Sequence, residues 1–463
     1  MQYVSTRGSA PVLGFEDTML TGLARDGGLY VPQSVPQMSH GEIAALAGLP
    51  YAEVAFRIMR PFLGESFGDD QFRAILARAY DGFGHAALAP VKQIGANQFL
   101  LELFHGPTLA FKDFAMQLIG QLFEEALKRR GDRVTIVGAT SGDTGSAAIE
   151  AFRGLDAVDV FIFFPLGRVS EVQRRQMTTP AEANVHAMAL EGDFDDCQAA
   201  VKDMFNHFEF RDRVRLAGVN SINWARVLAQ VVYYFTSATA LGAPHRPVSF
   251  CVPTGNFGDI FAGHIARKMG LPIDRLVIAT NQNDILHRTL ASGAHTKETV
   301  RPSISPSMDI QVSSNFERLL FDIYDRDGAA VARQMSELKD KGGFTISQGA
   351  LERLREGFAS GRASEEETGA TIREIFETTG EILCPHTAVG VKVAAETADP
   401  AVPMITLATA HPAKFPDAVE TAIGIRPPLP KRMADLYDRP ERLREVPNAL
   451  PQIEAAIEGS IRA

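Results

Sequence analysis

The chain has 463 residues, enough for roughly three domains at about 150 residues each. Its 45% hydrophobic and 22% charged content excludes a disordered or fibrous protein. Fifty-six acidic side chains against 46 basic ones leave a net charge of −10, which argues against nucleic acid or an anionic membrane as partners and, taken alone, against anionic ligands generally.

Residues 1–95 read as a separate, mainly helical unit. Within it, Arg25-Asp26-Gly27-Gly28-Leu29-Tyr30-Val31-Pro32 predicts a turn into an extended edge, with paired glycines for the turn and Pro32 to stop a helix. Asp81-Gly82-Phe83-Gly84 reads as a linker. From about residue 98, apolar runs predict strands at 134–137, 160–164, 185–190, 248–252, 276–279 and 404–408, several apolar on both faces as in a covered parallel sheet. Amphipathic segments alternate with them. Residues 113–130 place Phe114, Leu118, Ile119, Leu122, Phe123 and Ala126 at helical spacing and end in basic residues and Gly131. The expectation is an α/β catalytic region over 96–430, interrupted by a mostly helical insertion at about 290–380, and a tail over 431–463.

Cys197, Cys251 and Cys384 stand singly, so neither a disulfide framework nor a thiolate zinc site is expected. The amino terminus lacks a charged start followed by an apolar stretch, and no apolar run approaches the ~18 residues of a membrane span. A reduced, soluble, cytoplasmic protein is the reading. There is no Gly-x-x-x-x-Gly-Lys-Ser/Thr loop, no His-Glu-x-x-His helix, no Gly-x-Ser-x-Gly elbow and no Gly-x-Gly-x-x-Gly fingerprint.

Three strand-to-helix junctions carry the chemistry. Gly138-Ala139-Thr140-Ser141-Gly142-Asp143-Thr144-Gly145-Ser146 and Pro253-Thr254-Gly255-Asn256-Phe257-Gly258-Asp259 combine glycines, hydroxyls and helix-start amides, the equipment of an anion site. Ala408-Thr409-Ala410-His411-Pro412-Ala413-Lys414 is the third. In an open α/β sheet all three loops lie beyond the carboxyl ends of strands, where ligands bind. One such loop is commonly no more than a helix cap, and Asp143 and Asp259 could each be an ordinary helix-start acid. Three in one region point to an anionic ligand.

Lys112 stands among Leu109, Ala110, Phe111 and Phe114 at a helix start. Apolar neighbours and the positive helix end both favour its neutral amine, the form that attacks a carbonyl to make a Schiff base. The bland alternative is a lysine snorkelling from a helix start. A nucleophilic lysine beside a phosphate cradle is the parts list for pyridoxal phosphate.

In this order and spacing, HGPTLAFKDFA, ATSGDTGSAA, NSINWAR, PTGNFGD and ATAHPAKF resemble the threonine synthase family of the longer bacterial and fungal type. YVSTRG and DGGLYVP are similar to that type's extra N-terminal domain, so the resemblance covers essentially the whole chain. It implies pyridoxal-phosphate fold type II, the tryptophan-synthase β-like superfamily: two open twisted α/β lobes with the cofactor between them, plus a small helical N-terminal domain. The implied reaction converts O-phospho-L-homoserine and water to L-threonine and phosphate by γ-elimination and β-addition of water. The implied cofactor is pyridoxal 5'-phosphate, with no metal; monomer and homodimer both stay open.

Carried over by position, the resemblance makes Lys112 the catalytic residue and covalent anchor of the cofactor. It gives Gly255, Asn256, Phe257 and Gly258 to the cofactor phosphate and Thr409 to the pyridine nitrogen. Thr140, Ser141, Asp143 and Thr144 border the substrate carboxylate and ring hydroxyl, with Asp143 counted as a cofactor ligand. Asn220, Ser221 and Arg226 go to the substrate phosphate, and Lys414 is a second phosphate candidate. Without the motif, Arg226 would read as a surface ion pair. Relatives across the wider superfamily carry SGNTG where this chain has SGDTG, and an acid at position 143 requires a nearby cation or a rotated side chain. The rival readings are a serine/threonine dehydratase or β-replacing synthase on the same fold, a silent or metabolite-sensing descendant, and a nucleotide-binding dehydrogenase.

Overall fold

The computed structural model describes residues 1–462. Two sheets organise it. Five strands run parallel in the order Arg444–Val446, Val185–Leu190, Val158–Pro165, Val134–Ala139 and Leu216–Ala217. The middle strand, Val158–Pro165, is buried along its whole length, as apolar residues on both faces require of a doubly covered strand. Its one acid, Asp159, is neutralised by Arg133 at 3.2 Å and Arg462 at 2.7 Å.

The second sheet has six strands in the order Phe358–Arg362, Ile273–Thr280, Val248–Pro253, Met404–Ala408, Gln98–Glu102 and Val91–Gly95. All pairs are parallel except the last, an antiparallel edge. Helix Lys112–Arg130 packs against helices Asp143–Phe152 and Trp224–Ala240 and against Asp69–Tyr80 of the N-terminal unit. It ends where the basic residues and Gly131 place its end: Gly131 adopts a left-handed φ of 65° and its N–H caps the Leu127 and Lys128 carbonyls. The basic last turn complements the helix dipole, and Arg129 and Arg130 also grip Glu16 of the N-terminal unit.

The six predicted strands are all present. The structure departs from the expected organisation in three places. Residues 91–95, assigned to the N-terminal unit, form the edge of the six-stranded sheet, and the helices of that unit end with Asp69–Tyr80. The insertion holds the helices Phe316–Ile323, Gly328–Lys341, Gln348–Gly357 and Glu365–Thr379, yet strand Phe358–Arg362 within it closes the other edge of that sheet. Residues 431–463 are no free tail over the described residues, because Arg444–Val446 extends the five-stranded sheet and helix Leu450–Glu458 packs on it.

The turn at Asp26 forms as its residues dictate: Oδ1 accepts from Gly28 N–H and Ser5 Oγ, and strand Tyr30–Pro32 pairs antiparallel with Tyr3–Ser5. The three cysteines are free and buried. Among the described residues no helix is long and apolar enough to cross a membrane, and no group of three or more His, Cys, Asp or Glu side chains is placed to hold a metal.

Candidate active site

A cavity opens between the two sheets, at the carboxyl ends of Val134–Ala139, Val248–Pro253 and Met404–Ala408. Its wall includes Lys112, Asp143, Thr144, Ser221, Arg226, Gly255, Asn256, Phe257, Gly258 and Thr409. Residues more than 290 positions apart in sequence therefore meet at one point.

Lys112 is the first residue of its helix and is buried. The segment before it is pinned to the third loop: Phe111 N–H donates to the Thr409 carbonyl at 2.8 Å, and His411 N–H to the Leu109 carbonyl at 3.0 Å. Leu109 itself takes a left-handed φ of 65°, a costly conformation for a branched side chain. Burial lowers the Lys112 pKa from its usual value, partly opposed by the neighbouring Asp143 carboxylate and reinforced by the charges of Lys414 and Arg226.

Asp143 is the electrostatic centre. One oxygen, Oδ2, lies 3.3 Å from Lys112 Nζ; the other, Oδ1, lies 2.9 Å from Lys414 Nζ and accepts from Gln173 Nε2 at 3.0 Å. Burial pushes its pKa up, but Lys414 first and Lys112 second outweigh that and hold the carboxyl well below the usual range. The cation demanded by an acid at this position is thus present twice. Gly142, just before it, has φ of 140°, and a Cβ there would meet the Gln173 side chain at 2.3 Å. Only glycine lets the loop pass so close to the residue that holds Asp143.

The second loop is shaped as an open anion cradle. The backbone N–H groups of Gly255, Asn256, Phe257 and Gly258 donate to no protein acceptor among the described residues, and no side chain caps the helix Gly258–Lys268. Phe257 holds a left-handed φ of 64°, which turns successive amides toward the cavity at a cost of roughly 1–2 kcal/mol. A Cβ on Gly255 would fall 2.7 Å from the Ser307 carbonyl. A row of uncommitted amides at a helix start, facing a buried lysine amine, fits the phosphate and carbonyl carbon of a pyridoxal phosphate.

Arg226 is buried, its Nη1 has no hydrogen-bond partner among the described residues, and burial pulls its pKa down to about 10, still a cation at neutral pH. Among the described residues it has no carboxylate partner within salt-bridge distance. A surface ion pair is thereby excluded. Ser221 stands beside it on the wall.

Four expected residues are elsewhere. Thr140 is buried and its Oγ1 accepts from Gly142 and Gly145 N–H, both at 2.9 Å, so it shapes the loop from behind. Ser141 lies off the wall, and Asn220 is exposed, its Oδ1 accepting from Ile222 N–H. Lys414 is fully buried, spending its ammonium on Asp143, the Thr108 carbonyl at 2.7 Å and Gln176 Oε1 at 3.1 Å. It is placed as counter-ion to Asp143 and not on the cavity wall as a phosphate contact.

Several wall residues carried no recognisable signal. Gln230 follows Arg226 by one helical turn, and Ser307 and Met308 come from the insertion. His386 accepts from Ser307 N–H through Nε2, its Nδ1 is unpartnered among the described residues, and burial lowers its pKa to about 4, so it is neutral. Asp259 is no ordinary helix-start acid: Tyr233 and Tyr234 hydroxyls donate to its Oδ1 at 2.6 and 3.0 Å, and burial raises its pKa to about 6.

Comparison with known proteins shows the family. The family described as Threonine synthase N terminus matches residues 2–80, Pyridoxal-phosphate dependent enzyme matches 85–340, and Threonine synthase, C-terminal matches 387–457. A threonine synthase from Pseudomonas aeruginosa is 56% identical, over 99% of this chain and 98% of its own. The crystal structure of a pyridoxal-phosphate-bound threonine synthase from Brucella melitensis superposes with a TM-score of 0.98 at 57% identity, covering all of both chains. The yeast threonine synthase structure gives 0.94 at 41%, covering 99% of this chain and 98% of that one.

Proposed function

The chain belongs to the threonine synthase family, and from that membership we propose that it converts O-phospho-L-homoserine and water to L-threonine and phosphate in the inter-sheet cavity. It is a pyridoxal-phosphate-dependent lyase of threonine biosynthesis. The observation that carries the substrate reading is Arg226. A buried guanidinium without a carboxylate partner faces the same cavity as Lys112 and the amide cradle, so that cavity holds equipment for two phosphates.

Pyridoxal phosphate bound there supplies an electron sink for a carbanion at the substrate α carbon. Lys112 would anchor it, the amides of Gly255, Asn256, Phe257 and Gly258 would hold its phosphate, and Thr409 would supply a hydroxyl partner for its ring nitrogen. The lowered basicity of Lys112 suits a general base: its freed, uncharged amine takes the α proton and, once it has passed that proton on, is neutral again to take a β proton. Asp143, fixed by Lys414 and Gln173, orients that amine. Arg226 and Ser221 hold the substrate phosphate as it leaves the γ carbon, the guanidinium offering a bidentate fork. The β proton is delivered to the γ carbon, water adds its hydroxyl at the β carbon while its other proton leaves with the phosphate, and a proton returns to the α carbon, so the products balance the reactants. The amides of Asp143 and Thr144, which donate to no protein acceptor among the described residues, border the substrate carboxylate. Three free, buried cysteines support a cytoplasmic setting for this chemistry.

Purified protein incubated with O-phosphohomoserine releases phosphate and threonine in equal amounts. Phosphate accompanied by a keto acid in place of threonine overturns the proposal in favour of a phospho-lyase. Arg226→Ala lowers kcat/KM by about 10- to 100-fold, the loss of one charge-assisted phosphate contact, mostly through a higher KM. Steady-state kinetics check this, and an unchanged KM removes Arg226 from the phosphate site.

A further inference from the structure

The two anion-facing segments, 220–226 and 255–258, sit on different elements, and a residue of the insertion ties them together. Asn315 N–H and Asn315 Nδ2 both donate to the Asn256 carbonyl at 3.0 Å, and Nδ2 also donates to the Ser221 carbonyl at 3.1 Å. Ser313 Oγ adds a bond to the Gly255 carbonyl at 2.6 Å. One turn further on, the guanidinium of Arg318 donates to Asn315 Oδ1, to the Tyr30 carbonyl through Nε at 3.1 Å and Nη2 at 3.0 Å, and to the Ile222 carbonyl. It lies 5.8 Å from the centre of the Trp224 ring.

Arg318 is fully buried, and its hydrogen-bond partners are neutral oxygens. The adjacent Glu317 is committed elsewhere, to Arg7 and Thr6 of the N-terminal unit. A buried charge without a counter-charge is expensive, and an apolar side chain over Trp224 would fill the same space at lower cost. What an apolar residue cannot do is hold three carbonyl-type acceptors from three parts of the chain at fixed separation, which a planar fork of donors does. Burial lowers its pKa to about 9, leaving it charged at neutral pH.

We infer that Arg318 and Asn315 form a positioning brace that sets the substrate-phosphate segment 220–226 against the cofactor-phosphate cradle 255–258, which gives the N-terminal unit and the insertion a shared role in spacing the two anion sites. The inference rests on the assignment of Ser221 and Arg226 to the substrate phosphate. Neither Arg318 nor Asn315 lines the cavity. They act through the backbone of residues that do.

The test uses the holoenzyme and two ligands that differ in charge. Inorganic phosphate is measured as an inhibitor of threonine formation, and L-threonine binding is read from the cofactor absorbance. Asn315→Asp keeps the volume but removes the side-chain donor to Ser221 and Asn256, leaving only the backbone N–H on Asn256. It raises the phosphate inhibition constant ~10-fold while the L-threonine dissociation constant stays within about twofold. Arg318→Lys gives the same asymmetry, because an ammonium reaches fewer of the three acceptors, and it decides the matter alone should Asn315→Asp not fold. Constants for phosphate and threonine that both hold, or that weaken by the same factor, overturn the brace. Arg226→Ala is run in parallel. If it leaves phosphate inhibition unaltered, the substrate-phosphate assignment fails and the brace falls with it; if it weakens inhibition while Asn315→Asp and Arg318→Lys do not, the brace alone is wrong.

Discussion

Lys112→Ala lowers the rate of threonine formation by on the order of 10⁴-fold and abolishes the visible absorbance of covalently held cofactor, while the protein stays folded. The fold survives because Asp143, the partner that Lys112 leaves behind, keeps Lys414 at 2.9 Å and Gln173 at 3.0 Å, so no carboxylate is stranded in the interior. Lys112→Arg is equally inactive although it preserves the charge, since a guanidinium neither anchors a carbonyl nor gives up its proton near neutral pH. Rapid-quench measurement of threonine, with absorbance spectra before and after borohydride, checks both halves. Turnover within about 100-fold of the wild type in either variant would remove Lys112 from the chemistry.

How far the sequence was legible follows from where each determinant resides. The three loops could be read because their requirement is local: φ values such as the 140° of Gly142, and uncommitted amides at helix starts, call for Gly, Ser, Thr and Asn within a few residues of a strand end. Lys112 could be read because its apolar neighbours are its neighbours in sequence. Net charge misled, since −10 is spread over the surface and screened within roughly 10 Å, whereas the cavity is set by amides and the buried guanidinium of Arg226. Lys414 was misplaced for a related reason. Its position in the third loop put it near the site, but only the packing of Thr108 and Gln176 around it shows that its charge is turned to Asp143.

The edge strands Val91–Gly95, Phe358–Arg362 and Arg444–Val446 were missed because sheet edges are short and half-exposed and lack the apolar run that marks a buried strand. His386, Asp259 and Arg318 depend on partners 25 to 288 residues away, and a lone polar residue in a helical pattern gives no sign of them. Arg318 is the extreme case. Arginines on helices ordinarily face solvent, yet Arg318 on helix Phe316–Ile323 is among the most deeply buried charges in the described residues.

Asp143→Asn carries the second large effect, and it falls on stability as well as rate. The amide keeps the shape of the side chain and matches the SGNTG of the wider superfamily, but it leaves the ammonium of Lys414, fully buried, facing Lys112 without a counter-charge. Removing one partner of a buried ion pair costs about 3–5 kcal/mol, far more than the pair contributes over an apolar replacement. The cost is therefore recoverable: adding Lys414→Met to Asp143→Asn restores much of it, and a double-mutant cycle in denaturant shows a coupling of about 2 kcal/mol or more. The pH dependence has a definite sign. The folded-state pKa of Asp143 is depressed, so its contribution is complete above the ordinary aspartate value of 3.8 and is lost as pH falls below it. Wild-type protein loses stability more steeply on that acid limb than Asp143→Asn, and the two curves converge toward low pH. Additive costs for Asp143→Asn and Lys414→Met, or parallel acid limbs, would show that Lys414 draws its stability from Thr108 and Gln176 alone. The charge on Asp143 would then serve only to orient Lys112.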